Sequence, residues 1–351
     1  EFARAGLRCE VLYLQGLTLK AMGLYDEAID TLYRATWDYA WHSAAYLELA
    51  RISSLKGDLM KALREVEESL STNSRNNAAI ELKSSLLRKT GDLKGAAGLL
   101  EGIIKHDPLD FRAANDYYLA VRESVGKQKA DAMLAELTGR MRDFDQNYLE
   151  LAISYLNDGF ISEAEDVLKR FRGSNPIVNY YLGYIEDKKG NRAEAEKLFR
   201  SGSSMQVDYV FPFRLETVDV LKKASSYLSD DAKPLYYLGT LFFDKQPEEA
   251  MECWQNAVSL DPQLAIAWRN LGWGYYNAMD DGARAIEAYE KAIAIEKNEP
   301  IYYTELDALY EMSNTPVEKR LRLFEGSNET VNKRDDSFIR QIVVLTLAGQ
   351  P

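Results

Sequence analysis

Histidine and cysteine are scarce in this chain of 351 residues, which has two of each. A zinc site needs several such ligands at short spacings, and His42, His106, Cys9 and Cys253 are too far apart in sequence to provide them. A disulfide framework is excluded for the same reason, and we expect both cysteines to be buried, reduced thiols. The sequence therefore predicts no metal and no cofactor.

Long apolar runs and excess positive charge are also missing. The richest apolar stretch, "IVVLTLA", is far shorter than the roughly 18 residues that a membrane span needs. The formal net charge of −12 is unfavourable for contact with nucleic acid or anionic lipid. The charge therefore predicts that the chain binds no nucleic acid. The chain begins "EFARAG" without Met or a signal peptide, so we expect either a processed protein or a piece of a longer one, with a cytoplasmic location.

Catalytic motifs are absent from the sequence. The only approach to a phosphate loop fails because Val121 and Gln128 replace the glycine and the hydroxyl residue that it requires. Three acid pairs remain, and because they fall in predicted turns or helix starts, helix capping explains them better than catalysis. These pairs are Asp230/Asp231, Asp280/Asp281 and Asp335/Asp336. We expect no enzyme activity in this chain.

What the chain does have is a repeat. Five alanines recur at steps of 34 residues, and a glycine stands five residues before four of them. Glycine closes a helix in the left-handed conformation, and a small alanine allows two antiparallel helices to cross closely. The repeat therefore predicts helical hairpins with these structural positions: Gly23, Ala28, Gly57, Ala62, Gly91, Ala96, Ala130, Gly159 and Ala164.

Further copies follow after shorter or longer steps, and the late ones carry more of a known signature. Their structural positions are Gly190, Ala195, Gly239, Ala250, Gly272 and Ala285. Trp268, Leu271, Gly272 and Tyr275 followed by Ala285 and Tyr289 show it best. With its period of 34, the chain resembles the tetratricopeptide repeat family. This resemblance implies an all-α, right-handed superhelical solenoid of eight or nine hairpins.

The period breaks between residues 201 and 231, where the spare length is enough for one extra helix. We therefore predict four regions: six hairpins over 1–200, an irregular insertion over 201–231, further hairpins over 232–325, and the terminal helix of a truncated repeat over 326–351. Within the insertion, we expect Tyr209, Phe211, Pro212 and Phe213 to seal the extra helix against its neighbours. The helix over 335–348 is apolar enough to predict docking on a missing domain or a second copy.

The insertion, with "RNLGWGYY", "YYTELDALY" and "KRDDSF", also resembles the C-terminal repeat region of large bacterial proteins. Those proteins carry an N-terminal β-rich domain of unknown function. This second resemblance implies no established activity for the present chain.

Binding is the function that the repeat resemblance implies, in a concave groove lined by the first helix of each hairpin. The groove positions of the family fall on an aromatic set with one arginine, which is typical of a recognition surface. These residues are Tyr180, Tyr184, Tyr236, Phe243, Arg269, Asn270, Trp273 and Tyr276. We therefore predict a non-catalytic scaffold that binds a protein or peptide there. Two alternatives stay open: an accessory region of a larger, carbohydrate-active enzyme, and an oligomerisation module.

Overall fold

The computed structural model describes the backbone of residues 2–350 and the side chains of residues 9–128 and 130–350. Within residues 2–350 all regular secondary structure is helical. None of the helices within residues 2–350 is long and apolar enough to cross a membrane. The all-α prediction is confirmed. The chain divides into two compact units, one ending at Ser174 and the other beginning at Asn175. The domain boundaries predicted near residues 200 and 231 stay predictions.

The first unit holds five helical hairpins, and the two helices of each hairpin pack against each other. Its helices are α1 Phe2–Ala21, α2 Tyr25–Ala35, α3 Tyr39–Leu55, α4 Leu59–Thr72, α5 Asn77–Thr90, α6 Leu93–His106, α7 Phe111–Val125, α8 Lys127–Met141, α9 Asp145–Asn157 and α10 Ile161–Arg170.

The second unit holds four more hairpins and an extra helix, α13, which packs on α11, α12 and α14. Its helices are α11 Pro176–Lys188, α12 Arg192–Ser203, α13 Glu216–Tyr227, α14 Lys233–Phe242, α15 Pro247–Leu260, α16 Ala265–Asn277, α17 Gly282–Ile295, α18 Pro300–Met312, α19 Val317–Phe324, α20 Asn328–Val331 and α21 Asp335–Leu347. In α21, Phe338, Ile339, Ile342 and Val343 stay exposed.

The recurring glycine and the residue after it have a direct structural role, which Gly91 and Asp92 show. Gly91 ends α5 in the left-handed conformation with φ of 99°, and the side chain of Asp92 then accepts a hydrogen bond from the Gly95 backbone N–H at 2.8 Å. One residue stops the first helix and the next caps the second. Asp281 caps α17 in the same way, because its side chain accepts a hydrogen bond from the Arg284 N–H, and Asp231 accepts one from the Lys233 N–H just before α14.

Small residues set the distance between the two helices of a hairpin. The eight repeat alanines have no exposed surface: Ala28, Ala62, Ala96, Ala130, Ala164, Ala195, Ala250 and Ala285. Gly239 of α14 faces Trp254 of α15 so closely that an added Cβ would lie 2.4 Å from the indole Nε1. That nitrogen donates a hydrogen bond to the Tyr236 carbonyl at 3.1 Å, which holds the ring in place.

In the first unit, charged and polar side chains on the first helices of the hairpins contact one another on one side, which we call the inner face. Arg112 of α7 is buried and donates hydrogen bonds to Asp116 and Asp158, both at 2.9 Å. The Ser54 hydroxyl of α3 donates to the Asp158 carbonyl at 2.6 Å, which brings the second hairpin against the fifth. A Cβ on Gly159 would lie 3.0 Å from the Leu55 Cα, and only glycine fits there at φ of 85°. These groups satisfy one another rather than line an open groove.

The two cysteines differ from their prediction. Cys9 and Cys253 are free thiols, but both are partly exposed rather than buried. Burial of part of the side chain, together with the nearby Glu252 carboxylate, still raises the pKa of the Cys253 thiol.

A glycine substitution tests the close crossing. We expect Gly239→Ala to lower the free energy of unfolding by about 1–3 kcal/mol, because the new methyl group meets a rigid, buried indole. Gly282→Ala in the same unit is the matched control and should change it by less than about 0.5 kcal/mol, because its Cβ has no neighbour closer than 3.8 Å. Urea unfolding followed by circular dichroism measures both, and equal losses would contradict the crossing.

Glu81 on the inner face of the first unit predicts a pH dependence. Burial, with the hydrogen-bonded Asp110 carboxylate beside it, raises the pKa of Glu81 from 4.5 to about 9. The folded state then holds a proton that the unfolded state has lost, so the free energy of unfolding should fall as pH rises from 4.5 to about 9. In Glu81→Gln this slope should become shallower, because the amide does not titrate. Urea unfolding at several pH values measures it, and an unchanged slope would show that Glu81 is ionised in the fold.

Candidate functional site

A cleft of about 370 Å³ lies in the second unit, between the first helices of three successive hairpins and the segment that precedes α13. Its walls come from α14, α16 and α18, and its lining residues are Asp208, Tyr209, Phe211, Tyr236, Thr240, Phe243, Asp244, Trp254, Ile266, Arg269, Asn270, Trp273, Glu299, Ile301, Tyr302 and Arg334. Helical spacing places the residues of each helix one turn apart on the same side. We call this feature the α14–α18 cleft.

Five of the eight predicted groove residues line the α14–α18 cleft. They are Tyr236, Phe243, Arg269, Asn270 and Trp273. Their exposure differs widely, because Tyr236 is 2% exposed while Trp273 is 41% exposed. Burial raises the pKa of Tyr236 to about 12, so its hydroxyl group stays protonated at neutral pH. Trp273 therefore offers surface to a ligand, whereas Tyr236 forms part of the wall.

The other three predicted residues lie outside the cleft. Tyr180 has no exposed surface and shares a hydrogen bond of 2.9 Å with the Ser203 hydroxyl, so it belongs to the core. Its place in the predicted groove is corrected accordingly. Tyr184 is partly exposed and has the Lys188 ammonium group 5.1 Å from its ring centroid. The Tyr276 hydroxyl donates to the Met312 sulfur at 3.0 Å.

Arg269 is a cation in the lining of the cleft, and it already has partners. Its guanidinium donates two hydrogen bonds to the Glu305 carboxylate, the one from Nε at 2.8 Å, and a third to Asn270 Oδ1 at 3.2 Å. Its Cζ also lies 5.4 Å from the centroid of the Trp273 ring. Burial opposes the charge, but the hydrogen bonds and charge of Glu305 raise the pKa of Arg269 well above its ordinary value. Arg269 therefore helps to position the ring of Trp273. Because Glu305 already neutralises its charge, Arg269 has little attraction left for an anionic ligand.

The segment before α13 supplies two aromatic side chains that the sequence assigned to another role. Tyr209 is 88% exposed and Phe211 is 68% exposed. The expectation that these rings, with Phe213, seal the extra helix is wrong, and only Pro212 of that set is buried. Tyr209 also has φ of 60°, a left-handed conformation that is strained for a tyrosine. The fold holds these apolar rings at the cleft mouth instead of burying them.

Several lining residues were missed by the sequence reasoning. Asp208, Asp244 and Glu299 bring acidic groups to the cleft, and Arg334 reaches it from the start of α21. The Arg334 guanidinium donates to Asp336 at 2.8 and 2.9 Å, and these hydrogen bonds lower the pKa of Asp336 to about 2. These missed lining residues lie in helix caps and connecting segments, which carry no periodic signal, so the 34-residue pattern did not indicate them.

Comparison with protein families identifies two parts of the chain. Residues 149–204 and residues 10–40 match family models described as tetratricopeptide repeat. The chain contains tetratricopeptide repeats. The two matched segments cover most of the first hairpin and the fifth and sixth hairpins. The α14–α18 cleft lies outside both of them.

Among curated proteins, the chain is similar to two peroxisomal targeting signal receptors. The one from Candida albicans is 26% identical over 148 residues, which is 42% of this chain and 23% of the receptor. The one from Pichia angusta is 26% identical over 214 residues, which is 58% of this chain and 34% of the receptor. The chain thus spans about a quarter to a third of the length of these relatives.

Two solved structures are similar to the chain at low identity. The crystal structure of MamA is 22% identical, with a TM-score of 0.33, and covers 52% of this chain and 95% of its own. A thermophilic TPR protein in Thermus thermophilus is 16% identical, with a TM-score of 0.33, and covers 58% of this chain and 100% of its own. Scores of this size support no argument about ligands.

The pairing of Arg269 with Glu305 predicts a strong coupling. Arg269→Met should lower the free energy of unfolding by about 2 kcal/mol, because it leaves the half-buried Glu305 carboxylate without its partner. The double variant Arg269→Met/Glu305→Met should recover most of the loss, since two apolar side chains of similar length replace the pair. A double-mutant cycle by urea unfolding measures this, and additive losses would contradict the pairing.

Proposed function

We propose that the chain is a non-catalytic interaction scaffold that binds an extended peptide segment of a partner protein in the α14–α18 cleft. The observation that carries this proposal is the meeting of exposed Trp273, Tyr209 and Phe211 at one concave site. Exposed aromatic rings on a fixed helical frame are typical of the few residues that carry most of the energy of a protein interface.

The size of the cleft favours a peptide over a folded domain. Its volume of about 370 Å³ is enough for one or two side chains of an extended segment. The guanidinium of Arg269 lies beside the Trp273 ring and is itself bound by Asn270 and Glu305, so the ring is positioned before a ligand arrives. A binding site that is ordered in advance loses less entropy on association.

The comparisons are consistent with this proposal. Neither matched family model describes a catalytic family. The curated relatives are, by their printed names, receptors for a targeting signal. These names support, for this chain, a scaffold that binds protein partners.

Panning of a displayed library of random nine-residue peptides tests the proposal. Peptides enriched on the wild-type chain should bind Trp273→Ala roughly 30-fold more weakly, as expected for loss of a tryptophan at an interface centre. Trp37→Ala is the matched control, because Trp37 is 83% exposed and lies in the other unit. Absence of any enrichment, or equal affinity for both variants, would overturn the proposal.

A second candidate has its own supporting observation. The acidic side chains of Asp208, Asp244 and Glu299 lie beside the aromatic rings in the same cleft. Aromatic faces with acidic hydrogen-bond acceptors also suit a sugar, as an accessory region of a carbohydrate-active enzyme would require. A glycan array probed with wild type and Trp273→Ala distinguishes the two: selective glycan binding without peptide enrichment would favour this candidate.

A further inference from the structure

We infer that the α14–α18 cleft selects a peptide segment through a cationic side chain, lysine or arginine, held between its carboxylates and its exposed aromatic rings. This inference rests on the proposed function and names the chemistry of the ligand. An arginine such as Arg269 in a groove would first suggest an anionic ligand. The inference here is the opposite, a cationic ligand group.

The arginines of the cleft are neutralised by neighbours. Arg269 is bound by both oxygens of Glu305, and Arg334 is bound by both oxygens of Asp336. An acidic ligand group would have to displace one of these carboxylates and leave it without its partner. The geometry therefore disfavours a carboxylate or phosphate ligand.

The remaining charge of the cleft is negative. Among the described residues, Asp208, Asp244 and Glu299 line the cleft without forming an ion pair within 4.0 Å. Asp208 and Asp244 are exposed, and Glu299 accepts only a long hydrogen bond of 3.4 Å from the Ile301 backbone N–H. With Glu305 and Asp336, five carboxylates face two guanidinium groups. The excess of three negative charges attracts a cation.

The aromatic rings provide an independent reason for the same ligand. A cation is attracted to the face of an aromatic ring within about 6 Å, and tryptophan is the best of these rings. Trp273 already has one guanidinium near its ring, that of Arg269, which shows that this ring is placed to accept a cation. Exposed Tyr209 and Phe211 stand at the same cleft with no cation placed over them among the described residues. Carboxylates and open aromatic faces in one cavity suit a charged head on an apolar stem.

Four peptide mixtures test the inference directly. Each is a dye-labelled set of nine-residue peptides, acetylated and amidated, with Lys, Arg, Gln or Glu fixed at the centre and the other positions mixed. Fluorescence anisotropy should show the Lys or Arg mixture binding about tenfold more tightly than the Gln mixture. The Glu mixture should bind most weakly, and added salt should reduce the preference.

Variants that replace carboxylates by neutral amides show which carboxylates cause the preference for cationic peptides. Asp208→Asn/Asp244→Asn should bring the cationic mixtures close to the affinity of the Gln mixture. Glu252→Gln/Glu287→Gln removes the same charge from exposed positions on α15 and α17 and should leave the preference unchanged. Helix content by circular dichroism checks that each variant is folded.

The outcomes separate the two proposals. Binding that falls in Trp273→Ala but shows no preference for a cation would overturn this inference and leave the proposed function standing. If both double variants reduce the preference for cationic peptides equally, the preference arises from the overall negative charge of the protein. This result would also overturn the inference. No binding by any mixture would overturn the inference and the proposed function together.

Discussion

The close crossing of two helices within each hairpin is the constraint on which the rest of this structure depends. Ala250 and Gly239 leave so little room that Trp254 of one helix touches the backbone of the other. A single hairpin packed in this way still exposes one apolar face, which only the next hairpin can cover. Stacking along the chain is thus a consequence of the crossing, and so is the row of first helices that forms a wall.

That row of helices is used differently in the two units. In the first unit, charged groups such as Arg112, Asp116 and Asp158 turn inward and pair with one another. Buried charges require this kind of matching, because an unpaired charge away from water is costly. In the second unit the arginines of the cleft are matched too, but three further carboxylates among the described residues line the cleft without an ion-pair partner. The same framework thus yields a closed network in one unit and an accessible, negatively charged site in the other.

The break in the repeat explains why the accessible site lies where it does. Residues 204–215 add length between α12 and α13 that no hairpin can absorb, and Pro212 prevents a continuous helix there. The segment contributes Asp208, Tyr209 and Phe211 to the α14–α18 cleft, with Tyr209 strained and exposed. An irregular segment can present aromatic rings to solvent in a way that the buried positions of a regular hairpin cannot.

The sequence by itself determined the hairpins, because a glycine that ends one helix and a small alanine five residues later in the next helix recur at a step of 34 residues. Through the resemblance to tetratricopeptide repeats, it also predicted Arg269, Asn270 and Trp273 as residues of one groove. Only the tertiary structure decided which charged groups of the cleft have an ion-pair partner among the described residues and which have none. Glu305 lies 36 residues from Arg269 in sequence, yet its carboxylate neutralises that guanidinium. Asp208, Asp244 and Glu299 likewise reach the cleft from loops and caps whose direction no local pattern specifies, because it follows from the packing of three hairpins and one irregular segment.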